Sequence, residues 1–105
     1  MTRGEIWLVN LDPTIGSEIR KTRPCVVVSP SEMHDYLRTV IVAPMTTKSR
    51  VAPFRIGVRH GGQKGLILLD QMRAVDKARL TKRLGAVPAK TLTSTLSTLQ
   101  EVFAE

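Results

Sequence analysis

Cysteine occurs once in this chain, histidine twice, and the aromatic residues are one Trp, one Tyr and two Phe. A lone Cys25 excludes an intramolecular disulfide and a multi-cysteine zinc site, and it fits a reducing cytoplasm. Its setting in Pro24-Cys25-Val26-Val27-Val28 makes it a core thiol rather than a nucleophile. No apolar run approaches the roughly 18 residues that cross a bilayer, and Met1-Thr2-Arg3-Gly4-Glu5 does not open a signal peptide, so no membrane is expected. Gly-x-x-x-x-Gly-Lys-Ser/Thr, Gly-x-Gly-x-x-Gly, His-Glu-x-x-His and EF-hand patterns are all missing. His34 and His60 lie far apart in the sequence and read as surface or turn residues. Nucleotide-driven, zinc-dependent and two-histidine mechanisms therefore lose support, and no cofactor or metal is expected.

Acidic residues are also scarce. Nine Asp and Glu stand against 16 Lys and Arg, leaving a net charge of +7. Such an excess suits a polyanionic partner, because clustered cations release condensed counterions when they meet phosphates. Charge alone does not separate DNA from RNA, or binding from cleavage. A length of 105 residues with 42% hydrophobic content fits one globular domain spanning 1–105.

The apolar residues that are present mark the elements. Residues 5–11 are strand-like and stop at Asp12-Pro13. Short continuous runs at Val26-Val27-Val28, Val40-Ile41-Val42-Ala43 and Leu66-Ile67-Leu68-Leu69 suit strands buried on both faces. One helical turn is expected over 32–36. Phe54-Arg55-Ile56-Gly57-Val58-Arg59 alternates, as a strand with one wet face does, and His60-Gly61-Gly62 turns the chain. Residues 70–75 and 80–86 extend the sheet. After Pro88, the spacing of Leu92, Leu96, Leu99 and Phe103 predicts a helix with these four side chains on one face. The expected fold is α+β: a small, strongly curved antiparallel sheet or SH3-like β-barrel with a C-terminal helix.

Two polar stretches follow strands and could hold chemistry, 16–24 and 44–50. Cleaving RNA through its own 2′-hydroxyl needs a base for that proton, a cation or donor for the phosphorane oxygens, and a proton for the departing 5′-oxygen. Glu18, Arg23 and Thr46 could cover much of this. They have plainer readings too: Arg23 can end a loop and pair with Glu18, and Thr46 can be an ordinary turn hydroxyl. Arg55 and Arg59 read first as a solvated face, Arg73 as a structural partner of Asp76, and Trp7 as core or dimer packing.

At these residues the chain resembles the MazF/PemK toxin family. The likeness rests on Arg3-Gly4-Glu5-Ile6-Trp7, Leu11-Asp12-Pro13, Gly16-Ser17-Glu18, Arg23-Pro24 before a Val-rich strand, Pro44-Met45-Thr46-Thr47-Lys48-Ser49 and Asp70-Gln71-x-Arg73, in that order. The resemblance implies a compact β-barrel with a C-terminal helix, a two-fold homodimer, and a cognate antitoxin as partner. It also implies cleavage of single-stranded RNA, often mRNA, to a 2′,3′-cyclic phosphate and a 5′-hydroxyl. Carried over, Arg23 and Thr46 match the family's catalytic arginine and threonine, and Glu18 an acidic position in the same loop. Ser17 stands where some relatives carry a histidine with an acid–base role, which leaves the base open, and Asp70 is an alternative base. Ser17, Thr47, Lys48, Phe54 and Gln71 fall where relatives line the RNA groove. A guanidinium holds its protons too tightly to be a good proton donor, so Arg23 suits phosphorane stabilisation through its fork of N–H groups. Two other functions remain open at this point: a gyrase-binding toxin like CcdB, whose Trp-Gly-Ile ending is absent here, and a non-catalytic nucleic-acid-binding module.

Overall fold

The computed structural model describes residues 1–12 and 21–105. Among these, the elements run β1 (Glu5–Asn10), β2 (Thr22–Val27), α1 (Ser31–Tyr36), β3 (Thr39–Thr46), β4 (Arg55–His60), β5 (Gln63–Leu68), β6 (Arg73–Asp76), β7 (Leu80–Ala86) and α2 (Ala89–Val102). Two short 3-10 turns, Leu69–Gln71 and Lys77–Arg79, flank β6. Every ladder is antiparallel, in the order β4-β5-β3-β2-β1-β7, with β6 also against β3. Bulges in the β1–β7 ladder, at Ile6/Trp7 and Leu8/Val9, add curl to the sheet. Among the described residues no ladder joins β4 to β7, so the sheet is a curled half-barrel rather than a closed one. Helix α2 packs against β4.

The continuous apolar runs are buried on both faces, as their composition requires. Along β2 and just beyond, Val26 and Val28 enter one core with Ile6, Ala43, Met45, Ile67 and Val87, while Cys25 and Val27 enter another with Val9, Leu11, Val40, Val42 and Val75. This alternation is the period-two geometry of a strand. Burial pushes the Cys25 thiol up to about 12, against a smaller opposing pull from Arg73, so it stays protonated in the core.

Three sequence expectations change. Strand β2 begins at Thr22, so Arg23 stands on a strand rather than in a loop, and β3 runs on through Thr46. Ladder pairing, not hydrophobicity, sets those ends. On α2, Leu92 and Leu99 pack on the core, but Phe103 lies past the last helical residue, in a non-helical conformation, and is 71% exposed. The buried centre of that face is Thr95, whose hydroxyl donates to the Thr91 carbonyl at 2.8 Å and so costs little to bury. His34 is buried, not a surface residue. No helix among the described residues is long and apolar enough to cross a membrane.

Candidate active site

Strand β3 changes partner partway along. Its ladder with β2 ends at Cys25↔Pro44, and at Met45↔Ile67 and Thr46↔Leu66 it pairs with β5. Pro24 and Pro44 each lack an N–H, so the rungs nearest this point are short of donors. Continued for two more rungs, the β2–β3 register would set Arg23 opposite Thr46. Instead the strands part, and a cavity of about 210 Å³ opens between them. Its walls are Arg23 and Pro24 from β2, Met45 and Thr46 from the end of β3 with Thr47 just after it, Val58 and His60 from β4, and Gln63 and Gly65 from β5.

Local chemistry explains each placement. Gly61 and Gly62 both have positive φ, 59° and 78°, which a tight two-residue hairpin of type I′ demands. That turn closes on the pair His60↔Gln63. Because side chains alternate, His60 continues the row of Ile56 and Val58, and Gln63 that of Gly65 and Ile67. Gly65 is there because nothing larger fits. A Cβ on it would lie 2.8 Å from the carbonyl oxygen of Thr46. The Thr46 side chain is buried, and its Oγ1 accepts the Lys48 backbone N–H at 3.2 Å, which leaves the hydroxyl hydrogen to be donated elsewhere.

Arg23 differs from most of the other described arginines. Arg55 donates through Nε and Nη2 to both oxygens of Asp70, at 3.1 and 3.0 Å, and Arg83 donates to Glu5 at 2.8 Å. Arg73 donates to the Leu11 carbonyl at 3.0 Å, rather than pairing with Asp76, and Arg79 reaches the carbonyls of Asn10 and Asp12. The guanidinium of Arg23 has no such partner among the described residues. Its approach is nonetheless fixed: Leu11 and Lys21 are joined by a backbone bond of 2.9 Å, and the Lys21 N–H reaches the Asp12 carboxylate at 2.9 Å. A half-buried cation beside a donor hydroxyl, with no carboxylate among the described residues that line the cavity, is a receptor for an anion.

A second, wider cavity of about 610 Å³ adjoins the first, sharing Thr46, Thr47, Val58 and Gly65 with it. It runs over Ser49, Val51 and the cross-strand pair Arg59↔Lys64 to Pro88 and Thr91 near the start of α2. The two basic residues of β4 thus part company: Arg55 is tied to Asp70, whereas Arg59 lines the groove.

The structure therefore brings Arg23, Thr46 and Thr47 together. Ser17 and Glu18 lie outside the described residues. Lys48 contributes its backbone N–H, but its side chain lines neither cavity, and Phe54, at a positive φ of 67°, is part-exposed outside both. Asp70 and Gln71 stand in the turn beyond the far end of β5 from Gln63 and Gly65. The Arg55 hydrogen bonds hold the Asp70 carboxyl below the usual carboxylate range, outweighing the rise from partial burial. Such a carboxylate is a weakened base. His60, Gln63 and Gly65 were not among the residues expected at the site. The alternating pattern ending at His60 shows that it shares a face with Val58, but not which strand stands across from it. Among the described residues there is no group of three His, Cys, Asp or Glu side chains placed to hold a metal ion.

Comparison with known proteins adds a second kind of finding. Residues 2–103 match the family model described as "PemK-like, MazF-like toxin of type II toxin-antitoxin system". The chain is similar to endoribonuclease PemK of Escherichia coli, 39% identical over 98% of this chain and 82% of that protein. It is also similar to endoribonuclease MazF of Staphylococcus saprophyticus, 36% identical over 80% of this chain and 75% of that one. Among solved structures, MazF of Deinococcus radiodurans superposes with a TM-score of 0.84 at 25% identity, covering 97% of this chain and 94% of that one.

Proposed function

Since the chain belongs to the PemK-like, MazF-like toxin family of type II toxin–antitoxin systems, we propose that it is an endoribonuclease that cuts single-stranded RNA, mRNA included, through the RNA's own 2′-hydroxyl. One observation carries this reading. Arg23 and Thr46 meet in the cavity where β2 and β3 part, the guanidinium unpaired among the described residues and the hydroxyl free to donate. RNA brings its own nucleophile, so the protein's task is to hold the phosphate and move protons.

In this reading the guanidinium of Arg23 grips the two non-bridging oxygens of the scissile phosphate, and the Thr46 hydroxyl donates to the same group. Both contacts strengthen as charge builds on the phosphorane, which is what accelerates the step. The groove past Thr47, Arg59 and Lys64 receives the flanking nucleotides. Ser17, Lys48, Phe54 and Gln71 contact the RNA, and Glu18 and Asp70 are the carboxylates that the family resemblance offers for proton transfer. The toxin acts in the cytoplasm as a homodimer of the 1–105 domain, doubling the +7 charge that draws RNA in. It lowers translation and growth, and a cognate antitoxin that covers the groove silences it.

The test is to incubate the purified protein with a long unstructured RNA, with and without a chelator, and to characterise the new ends. Discrete fragments ending in 2′,3′-cyclic phosphate and 5′-hydroxyl, formed equally with chelator, support the proposal. A gel shift without cleavage rejects it in favour of a binding module.

A further inference from the structure

Among the described residues, the cavity supplies donors in abundance and very little that can accept a proton. Of its described lining residues, Arg23 offers donors and no acceptor, Thr46 and Thr47 are hydroxyls far too weakly basic, and Gln63 is a neutral amide. His60 is the exception. An imidazole ring nitrogen can both accept a proton and give it back, which none of the other described lining groups can do. The tight Gly61-Gly62 turn presents it at the end of β4, on the cavity side, half-buried. Among the described residues nothing hydrogen-bonds its ring.

We propose that His60 is the general base of the cleavage reaction, taking the proton of the 2′-hydroxyl that attacks the phosphate held by Arg23 and Thr46. The inference rests on the ribonuclease reading above. As the 2′-oxygen forms its bond to phosphorus, its proton passes to a ring nitrogen of His60. The bond from phosphorus to the 5′-oxygen breaks, and the imidazolium returns the proton to that leaving oxygen, directly or through solvent. Atoms and charge balance: the products are the cyclic phosphate, the 5′-hydroxyl and a neutral imidazole ready for another turnover. Among the described residues the charged group that lines the cavity with the ring is Arg23 from β2; alternation turns Arg59 of β4 and its cross-strand partner Lys64 of β5 to the other face of the hairpin, and Thr46 and Thr47 at and just after the end of β3 carry no charge. No described carboxylate lines the cavity to share the role, and Asp70 is engaged by Arg55 at a distance along the sheet.

The experiment measures single-turnover cleavage of a fluorogenic RNA oligonucleotide carrying a mapped site, across pH 4.5–9, by wild type, His60→Gln and His60→Ala. Both variants should keep the wild-type melting temperature, because the ring is bonded to nothing among the described residues. Wild type should show an acid limb, cleavage falling as the base takes up a proton. His60→Gln should cleave 10²- to 10⁴-fold more slowly with KM within a few-fold, and should lose that limb. Added imidazole should partly restore His60→Ala. Cleavage by His60→Gln within threefold of wild type, or an acid limb that survives in it, overturns the proposal and assigns the proton to another group. A wild-type protein inert on RNA overturns the ribonuclease reading itself and this inference with it.

Discussion

The chain's two imidazoles occupy opposite kinds of surroundings. Around His34 every polar atom is engaged. Its Nε2 sits 2.7 Å from the Ser29 hydroxyl and its Nδ1 2.8 Å from the Met1 carbonyl, while Ser29 Oγ also accepts the Ile41 N–H at 3.0 Å. A carbonyl can only accept, so Nδ1 donates to Met1, and the Ser29 hydroxyl occupies Nε2. The Lys77 ammonium donates to the His34 carbonyl as well. Around His60 the opposite holds: an open cavity, an unpaired guanidinium among the described residues, and a hydroxyl with its hydrogen to spare. A satisfied cluster knits distant segments together and has no capacity left for a substrate. An unsatisfied one adds little to stability and keeps its bonds for a ligand, which in the proposal above is the scissile phosphate. Stability and chemistry are thus separable by substitution.

The largest effect breaks the chemical side alone. Arg23→Ala should lower cleavage by about 10³-fold or more, since it removes two charge-assisted donors from the phosphorane, while circular dichroism and melting stay as in wild type. Arg23→Lys should recover little of it, because an ammonium cannot reproduce the fork. Next comes Gly65→Ala, which touches both sides. A Cβ only 2.8 Å from the Thr46 carbonyl must displace the end of β3, so cleavage should drop at least tenfold and denaturant unfolding should show a loss of about 1–3 kcal/mol.

His34→Ala should reverse the pattern of Arg23→Ala. Removing a buried ring that two groups depend on should cost about 2 kcal/mol in chemical denaturation, with cleavage per folded molecule unchanged. A smaller effect belongs to Glu5. Its partial burial alone would raise the pKa, but hydrogen bonds from Arg83, the Thr2 N–H and Trp7 outweigh that and bring it from 4.5 to about 2. A pKa lowered on folding gives stability that is complete above pH 4.5 and fades as pH falls toward 2. Glu5→Gln should therefore flatten the acid limb of a melting-temperature profile over that window. Smallest of all, Asp70→Asn should change cleavage by less than threefold and stability by about 0–1 kcal/mol, as breaking a solvent-exposed pair does.

Much of this was legible from residue order alone. Continuous β-branched runs marked β2 and β3, because only strands covered on both faces can bury Val26, Val27 and Val28 in succession. The four-and-three spacing of Leu92, Leu96 and Leu99 marked α2, and Gly61-Gly62 marked the hairpin. What escaped depends on contacts between segments far apart in the chain. Nothing near His34 says that its ring reaches Met1, and nothing near His60 says that β3 leaves β2 for β5 beside it. Arg23 looked like a loop residue because polar side chains at a strand end resemble a loop when the pairing is unseen. Asp70 looked available because Arg55, its captor, stands on another strand. Phe103 kept the helical rhythm past the point where the helix stops.

The central claim is that RNA supplies the nucleophile and the cavity between β2 and β3 supplies the grip. A single 2′-deoxy nucleotide placed at the mapped scissile position of an otherwise unmodified RNA tests it most directly. The account predicts that wild type binds this RNA with its normal affinity and leaves that one position uncut. Continued cleavage at the 2′-deoxy position would contradict it.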